Sequence, residues 1–158
     1  GKLVKELGTL GYDESSLYMS SYDWRLSMAE LERRDRYFTV LKARVELLKA
    51  TNEDEKVVVM CHSMGSNVWN YFMQWVTQND PSWVDTHVDS VALVGNSLLG
   101  SPKVLAALLT GDVRDVLESW FPLEYFLNKV VSKADFVGLF RSWGSFPMLL
   151  PVGGERIW

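Results

Sequence analysis

Between residues 57 and 66 the chain reads Val57-Val58-Val59-Met60-Cys61-His62-Ser63-Met64-Gly65-Ser66. This stretch restricts the fold more than any other. A β-branched apolar run, suited to a strand, stops at a serine flanked by small residues. Apolar positions at helical spacing follow at once, in Val68, Trp69, Phe72, Met73 and Val76. Strand, serine, helix is the layout of a nucleophile elbow. Serine is a weak nucleophile, so its hydroxyl has to stand clear of the backbone within reach of a base, and a sharp turn provides that exposure. Small residues two places before and after the serine allow strand and helix to pack closely. The common pattern is Gly-x-Ser-x-Gly; here Cys61 stands in the first glycine position. Ser63 is therefore the candidate nucleophile, and the backbone N–H of Met64 the candidate oxyanion donor. The competing reading makes Ser63 an N-cap of the following helix.

The flanking sequence predicts alternating elements. Lys2–Leu10 reads as a short helix stopped by Gly11, and Leu17–Tyr22 as a strand. Ser27-Met28-Ala29-Glu30 has the form of a capping box, predicting one long helix to about Ala50 with Leu31, Phe38, Leu41, Val45 and Leu48 as its apolar stripe. Within it, Glu32-Arg33-Arg34-Asp35-Arg36 reads as a solvated face whose arginines can pair with nearby acids. Val57–Met60 is apolar throughout, as in a strand buried on both faces. Val88–Val94 reads as another strand, Ser101-Pro102 as the N-cap and first residue of a helix, and Val113–Leu117 as helical. Beyond Trp120 the pattern fades.

Strand, helix, strand, helix, strand implies two successive βαβ units: an α/β class with a partial parallel sheet and helices on both faces. Sites in such sheets lie at the carboxyl ends of the strands. Ser63, Tyr22-Asp23-Trp24-Arg25 and Gly95–Gly100 each fall at one such end.

The 158 residues suffice for one domain with a real core. The chain opens at Gly1-Lys2 and stops at Ile157-Trp158, which reads as an internal fragment, a single incomplete domain over residues 1–158. A net charge of −4 argues against a nucleic-acid partner. One cysteine excludes an internal disulfide. Seven tryptophans fit either a well-filled core or an apolar surface that meets acyl chains or a membrane.

Several segments resemble one family. Tyr22-Asp23-Trp24-Arg25, Leu31-Glu32-Arg33-Arg34-Asp35-Arg36-Tyr37-Phe38 and His62-Ser63-Met64-Gly65-Ser66 resemble phospholipid:diacylglycerol acyltransferases, which group with lecithin:cholesterol acyltransferase and lysosomal phospholipase A2. The similarity continues through Trp83-Val84, His87-Val88-Asp89-Ser90, Leu98-Leu99-Gly100-Ser101-Pro102-Lys103 and Pro147–Pro151 to Ile157-Trp158, covering nearly the whole chain. The Tyr-Asp-Trp-Arg stretch is shared by the wider family; Glu32–Phe38 points to the diacylglycerol-using branch.

The resemblance implies an α/β-hydrolase fold and a Ser–His–Asp acyltransferase. Ser63 would take a fatty acyl group from a phospholipid and pass it to diacylglycerol, giving triacylglycerol and lysophospholipid. It implies a membrane-surface partner, location at the endoplasmic reticulum membrane, and neither metal nor organic cofactor. The triad acid and histidine would lie downstream of residue 158, and a second oxyanion loop upstream of residue 1.

Other candidates rank lower. The His62 side chain should point away from its neighbour Ser63 in a tight turn, and His87 precedes its strand, opposite the active edge. Asp23 and Arg25 suit structural pairing, since a buried charge needs a partner. Trp24 suits either an acyl pocket or the core. Cys61 suits a buried small residue, with nothing nearby to lower its pKa. Two alternatives to acyl transfer remain open: a phospholipase of the same family using water as acceptor, and a non-catalytic lipid-binding fragment.

Overall fold

The computed structural model describes residues 1–111 and 132–157. They form two compact units. The first comprises Gly1–Asp23 and Met28–Asn96, the second Trp24–Ser27 and the described part of Ser97–Trp158. The expected Val113–Leu117 helix lies outside the described residues.

In the first unit, α1 (Lys2–Thr9) ends just before Gly11, which takes a φ of 98° open to glycine. α2 (Met28–Asp35) and α3 (Tyr37–Thr51) replace the single long helix expected here. The chain breaks at Arg36, which adopts a left-handed φ of 53°. The cause is Glu32. Its carboxylate accepts from the backbone N–H groups of Phe38 (2.9 Å) and Thr39 (3.1 Å) and from the Thr39 hydroxyl, capping α3 with negative charge where the helix dipole favours it. The apolar stripe survives the break, with Leu31 and Phe38 fully buried and Leu41 and Val45 nearly so.

β1 (Val57–His62) and β2 (Val88–Val94) pair in parallel, with Cys61 opposite Leu93 and His62 opposite Val94. Between them run α4 (Gly65–Thr77) and α5 (Trp83–His87). This βαβ unit is α/β as expected, but among the described residues the sheet has two strands. Leu17–Tyr22 forms no strand, because no strand among the described residues shares hydrogen bonds with it. β1 is not buried on both faces either. Cys61 is buried while Val58 is 56% exposed and Met60 49%. Among the described residues α3 and α4 pack against β1, while Val58 and Met60 stay exposed.

The core of this unit is aromatic. Phe38, Phe72 and Trp83 are fully buried, with Phe38–Phe72 centroids 6.2 Å apart and Phe72–Trp83 edge-on at 5.3 Å. Edge and offset ring contacts of this kind add to area burial. The Trp83 indole N–H donates to Glu46 (2.9 Å), so the ring's one polar atom is satisfied. Trp69 is also buried. For these two tryptophans the plain core reading holds.

In the second unit α6 (Pro102–Thr110) starts after Ser101 with Pro102 in the first turn, as expected, and ends at Gly111 in the left-handed region. α7 (Lys133–Ser142) opens with a complete capping box, Ser132 with Asp135. Ser132-Lys133-Ala134-Asp135 carries that signal in the sequence itself. A short α8 (Ser145–Met148) follows. Ala107, Phe136, Phe140 and Phe146 form this unit's core. Gly100, at φ 86°, lies so close to the Leu150 carbonyl that a side chain there would collide with backbone.

Candidate functional site

The elbow is built where β1 ends. Ser63 follows the last strand residue, and its N–H donates to the Val94 carbonyl at 3.0 Å, tying the turn to the carboxyl end of β2. Its φ is 51°, the left-handed region, which a non-glycine residue enters at a cost of about 1–2 kcal/mol. Such strain persists only where the surroundings over-determine it, and it concentrates at functional positions. Ser63 is exposed, and its hydroxyl has no hydrogen bond among the described residues.

The N-cap alternative for Ser63 is not realised. Met64 is the N-cap residue of α4, and no side chain makes a capping bond there. The Ser63 carbonyl instead accepts from Ser66 N–H at 3.0 Å, and the Met64 carbonyl from Asn67 N–H at 3.0 Å. The Met64 N–H takes no acceptor among the described residues. An unengaged donor at the N-terminus of a 13-residue helix, one residue after an exposed hydroxyl, suits a developing oxyanion.

Cys61 sits beneath this turn, buried, and burial pushes its thiol pKa up. A raised pKa suppresses thiolate, which removes Cys61 as a nucleophile at neutral pH. It also fits sterically: a Cβ built on Gly65 would meet the Cys61 Cβ at 4.0 Å, ordinary van der Waals contact. The extra atoms at position 61 do not force strand and helix apart.

The Tyr22 and Tyr37 rings lie 5.6 Å apart. Burial, reinforced for Tyr22 by the Cys61 sulfur, raises its pKa; burial outweighs the Ser20 hydrogen bond and lifts Tyr37 to about 12. Both phenols are neutral at physiological pH. Tyr37 shares a 2.8 Å hydrogen bond with the Ser20 hydroxyl.

Asp23 pairs structurally, as expected. Its carboxylate accepts from Arg34 at 3.1 Å, and Arg34 also holds Asp35 at 2.7 Å. Arg33 pairs with Glu30, and Arg36 approaches Glu32 at 3.7 Å. The charge run makes local pairs and, through Arg34, a long-range link to Asp23.

Trp24 and Arg25 belong to the second unit. Trp24 is 47% exposed and meets Trp143 edge-on at 4.8 Å; the Arg25 carbonyl accepts from Ser145 N–H.

His87 closes α5 immediately before β2, stacked on Trp83 at 4.6 Å with its Nδ1–H donating to the Trp83 carbonyl. Six residue steps along β2, at about 3.3 Å each, put the start of the strand about 20 Å from its carboxyl end, where Ser63 is tied. His87 is too far to serve as base. His62 shares the open face of β1 with Val58 and Met60 by strand alternation. Among the described residues no helix is long and apolar enough to cross a membrane.

A profile of the lecithin:cholesterol acyltransferase family matches residues 1–158. The chain is 40% identical over 164 residues to a phospholipid:diacylglycerol acyltransferase of Saccharomyces cerevisiae, covering 99% of this chain and 25% of that protein. It is 37% identical to the protein of the same name from Schizosaccharomyces pombe, covering 99% of this chain and 26% of that protein. A phospholipid–sterol O-acyltransferase of Arabidopsis thaliana is 35% identical over 106 residues, 64% of this chain and 17% of that protein. The chain thus spans about a quarter of the length of these two phospholipid:diacylglycerol acyltransferases. It belongs to the lecithin:cholesterol acyltransferase family.

Proposed function

From that family membership we propose that the protein carrying this chain is an O-acyltransferase that moves a fatty acyl group from a phospholipid to diacylglycerol through an acyl-enzyme on Ser63. The observation that carries the proposal is the elbow: a strained, exposed Ser63 whose neighbour Met64 offers an unengaged N–H at a helix start. The names of the yeast relatives support the choice of donor and acceptor.

The chemistry follows in two half-reactions. The Ser63 oxygen attacks the ester carbonyl of the phospholipid while a base takes its proton. The Met64 N–H stabilises the tetrahedral oxyanion, and the lysophospholipid alkoxide leaves with that proton. The free hydroxyl of diacylglycerol then attacks the acyl-serine, releasing triacylglycerol and restoring Ser63. His87 is too distant to be the base. The base and its acidic partner come, in this reading, from outside these 158 residues, as does a second oxyanion donor. Transfer in place of hydrolysis requires that water be kept from the acyl-enzyme while a second lipid enters. The proposal extends to location, a membrane surface of the endoplasmic reticulum.

The test supplies phospholipid with a labelled acyl chain, together with diacylglycerol, to membranes carrying the full-length protein. Labelled triacylglycerol is expected, and Ser63→Ala should lower kcat by about 10⁴–10⁶, as for other serine nucleophiles. Labelled free fatty acid that ignores added diacylglycerol would make the protein a phospholipase. Undiminished triacylglycerol synthesis by Ser63→Ala would remove Ser63 from the mechanism. Fractionation of the labelled activity with a membrane other than the endoplasmic reticulum would overturn the location.

A further inference from the structure

β1 and β2 leave the sheet in the same way. The last pair of their ladder is His62 with Val94, and the Ser63 N–H closes it on the Val94 carbonyl at 3.0 Å. The peptide that precedes Ser63 thus donates to the peptide that precedes Gly95, and one further step along the register sets these two residues side by side. Both are left-handed, Ser63 at φ 51° and Gly95 at φ 54°. The direction of a Cα–Cβ bond follows from the preceding peptide plane and φ. Here the planes are ladder neighbours and the φ values nearly equal. A Cβ on Gly95 would therefore stand alongside that of Ser63, about 4.8 Å away, the spacing of neighbouring strands.

Neither backbone nor packing explains a glycine at 95 among the described residues. Arg36, Glu53 and Asp54, like Ser63, hold φ between 51° and 62°, so this chain accepts side chains in that conformation elsewhere. At Gly100 and Gly111 an added Cβ would come within 2.2 and 2.3 Å of backbone oxygens, and glycine there serves close packing. At Gly95 it would meet no atom of the described residues within 4 Å. Gly95 is exposed, as is Ser63. Bare backbone beside open space suits the close approach of a ligand.

We propose that Gly95 is a specificity-determining residue of the serine site: its missing side chain clears the β2 flank of Ser63 for the fatty chain of a lipid ester. This rests on Ser63 being the nucleophile. An ester carbonyl poised for attack lies about 3–3.5 Å from the serine oxygen. A side chain rooted about 4.8 Å from the Ser63 Cβ, and aimed the same way, enters the volume just beyond that carbonyl. A short substituent ends close to the serine, whereas a fatty chain has to run on past it.

The experiment labels Ser63 of the full-length protein with two alkyl fluorophosphonates, one carrying an ethyl chain and one a decyl chain, each kept below the concentration at which the longer probe aggregates. The serine oxygen bonds to phosphorus, fluoride leaves, and the base takes the serine proton. The readout is the ratio of the long-chain rate to the short-chain rate. Loss of folded protein or of serine reactivity lowers both rates alike and cancels, so a merely structural role leaves the ratio at its wild-type value.

Gly95→Ala should lower the ratio about threefold and Gly95→Asn about tenfold, at or below the low end of what one misfitting group does to substrate discrimination. The order is diagnostic. Asn tolerates the left-handed region better than Ala but is larger, so a loss that follows strain falls hardest on Gly95→Ala and one that follows clearance falls hardest on Gly95→Asn. Gly11→Asn, at another left-handed glycine whose Cβ would meet nothing within 4 Å, should keep the wild-type ratio. Gly95→Ala decides the matter if Gly95→Asn fails to fold. A wild-type ratio in either folded variant, or a lower ratio for Gly95→Ala than for Gly95→Asn, would overturn the clearance role and leave Ser63 as nucleophile. Labelling of the wild-type protein elsewhere than Ser63 would overturn both.

Discussion

Replacing Ser63 with glycine should make the protein more stable and inactive. Ser63 sits at φ 51°, where a residue with a Cβ costs about 1–2 kcal/mol. Glycine removes that cost. Against it stands glycine's greater freedom in the unfolded chain, a loss of roughly 0.5–1 kcal/mol. Nothing else enters at comparable size, because the side chain is exposed and its hydroxyl makes no hydrogen bond among the described residues. The difference is a net gain centred on about 0.75 kcal/mol, within bounds of about 0 and 1.5 kcal/mol. In a domain of typical enzyme size this corresponds to a rise in melting temperature of about 1–4 °C. Ser63→Ala is the control: it removes the hydroxyl but keeps the Cβ, so its melting temperature should match wild type within about 1 °C. Arg36, also left-handed at φ 53°, provides a second comparison away from the elbow. Arg36→Gly should rise similarly, less a small loss from its exposed pair with Glu32. Thermal denaturation of the four proteins, each assayed for acyl transfer, checks this. If Ser63→Gly melts no higher than Ser63→Ala, the turn is unstrained and the case for a functionally held elbow fails.

Three further outcomes follow from the same geometry. Gly65→Ala should keep the fold and most of the activity, since the added Cβ meets Cys61 only at van der Waals distance, whereas Cys61→Leu should overpack the turn by about 1–3 kcal/mol; melting temperature and turnover of each variant test this. His87→Gln should leave turnover close to wild type, and a collapse in kcat without unfolding would contradict its place at the far end of β2. Burial opposes ionisation of Glu46, but hydrogen bonds from Lys42 and Trp83 outweigh it and hold the carboxyl below its ordinary 4.5. The unfolded chain therefore takes up that proton first as pH falls. The contribution of Glu46 is present in full above about 4.5 and is lost as pH drops through the folded value. Glu46→Gln should flatten that part of the acid unfolding curve measured by circular dichroism.

Features set by neighbours in the chain were legible in the sequence. β1, the serine after it and α4 follow from a β-branched run, a turn and an amphipathic repeat that occupy twenty-one consecutive residues, from Val57 to Thr77. α1 before Gly11, the start of α6 at Ser101-Pro102, and the place of His87 ahead of β2 rest on equally local signals. The capping box at Ser132 is as local, though the apolar pattern around it is irregular.

What tertiary structure decided was non-local. Arg36 breaks a well-patterned helix because the Glu32 carboxylate folds back to cap Phe38 and Thr39, a competition no apolar periodicity records. Leu17–Tyr22 has strand composition, but a strand needs a neighbour's hydrogen-bonding edge, and the segment is docked by side chains in its place. The burial of β1 on one face, and the choice of Arg34 among the clustered arginines as the partner of Asp23, depend on what else reaches those positions in space. Turn geometry and periodicity act over a few residues and can be read from them. Pairing, burial and charge partnership depend on distances that exist only once the chain has folded.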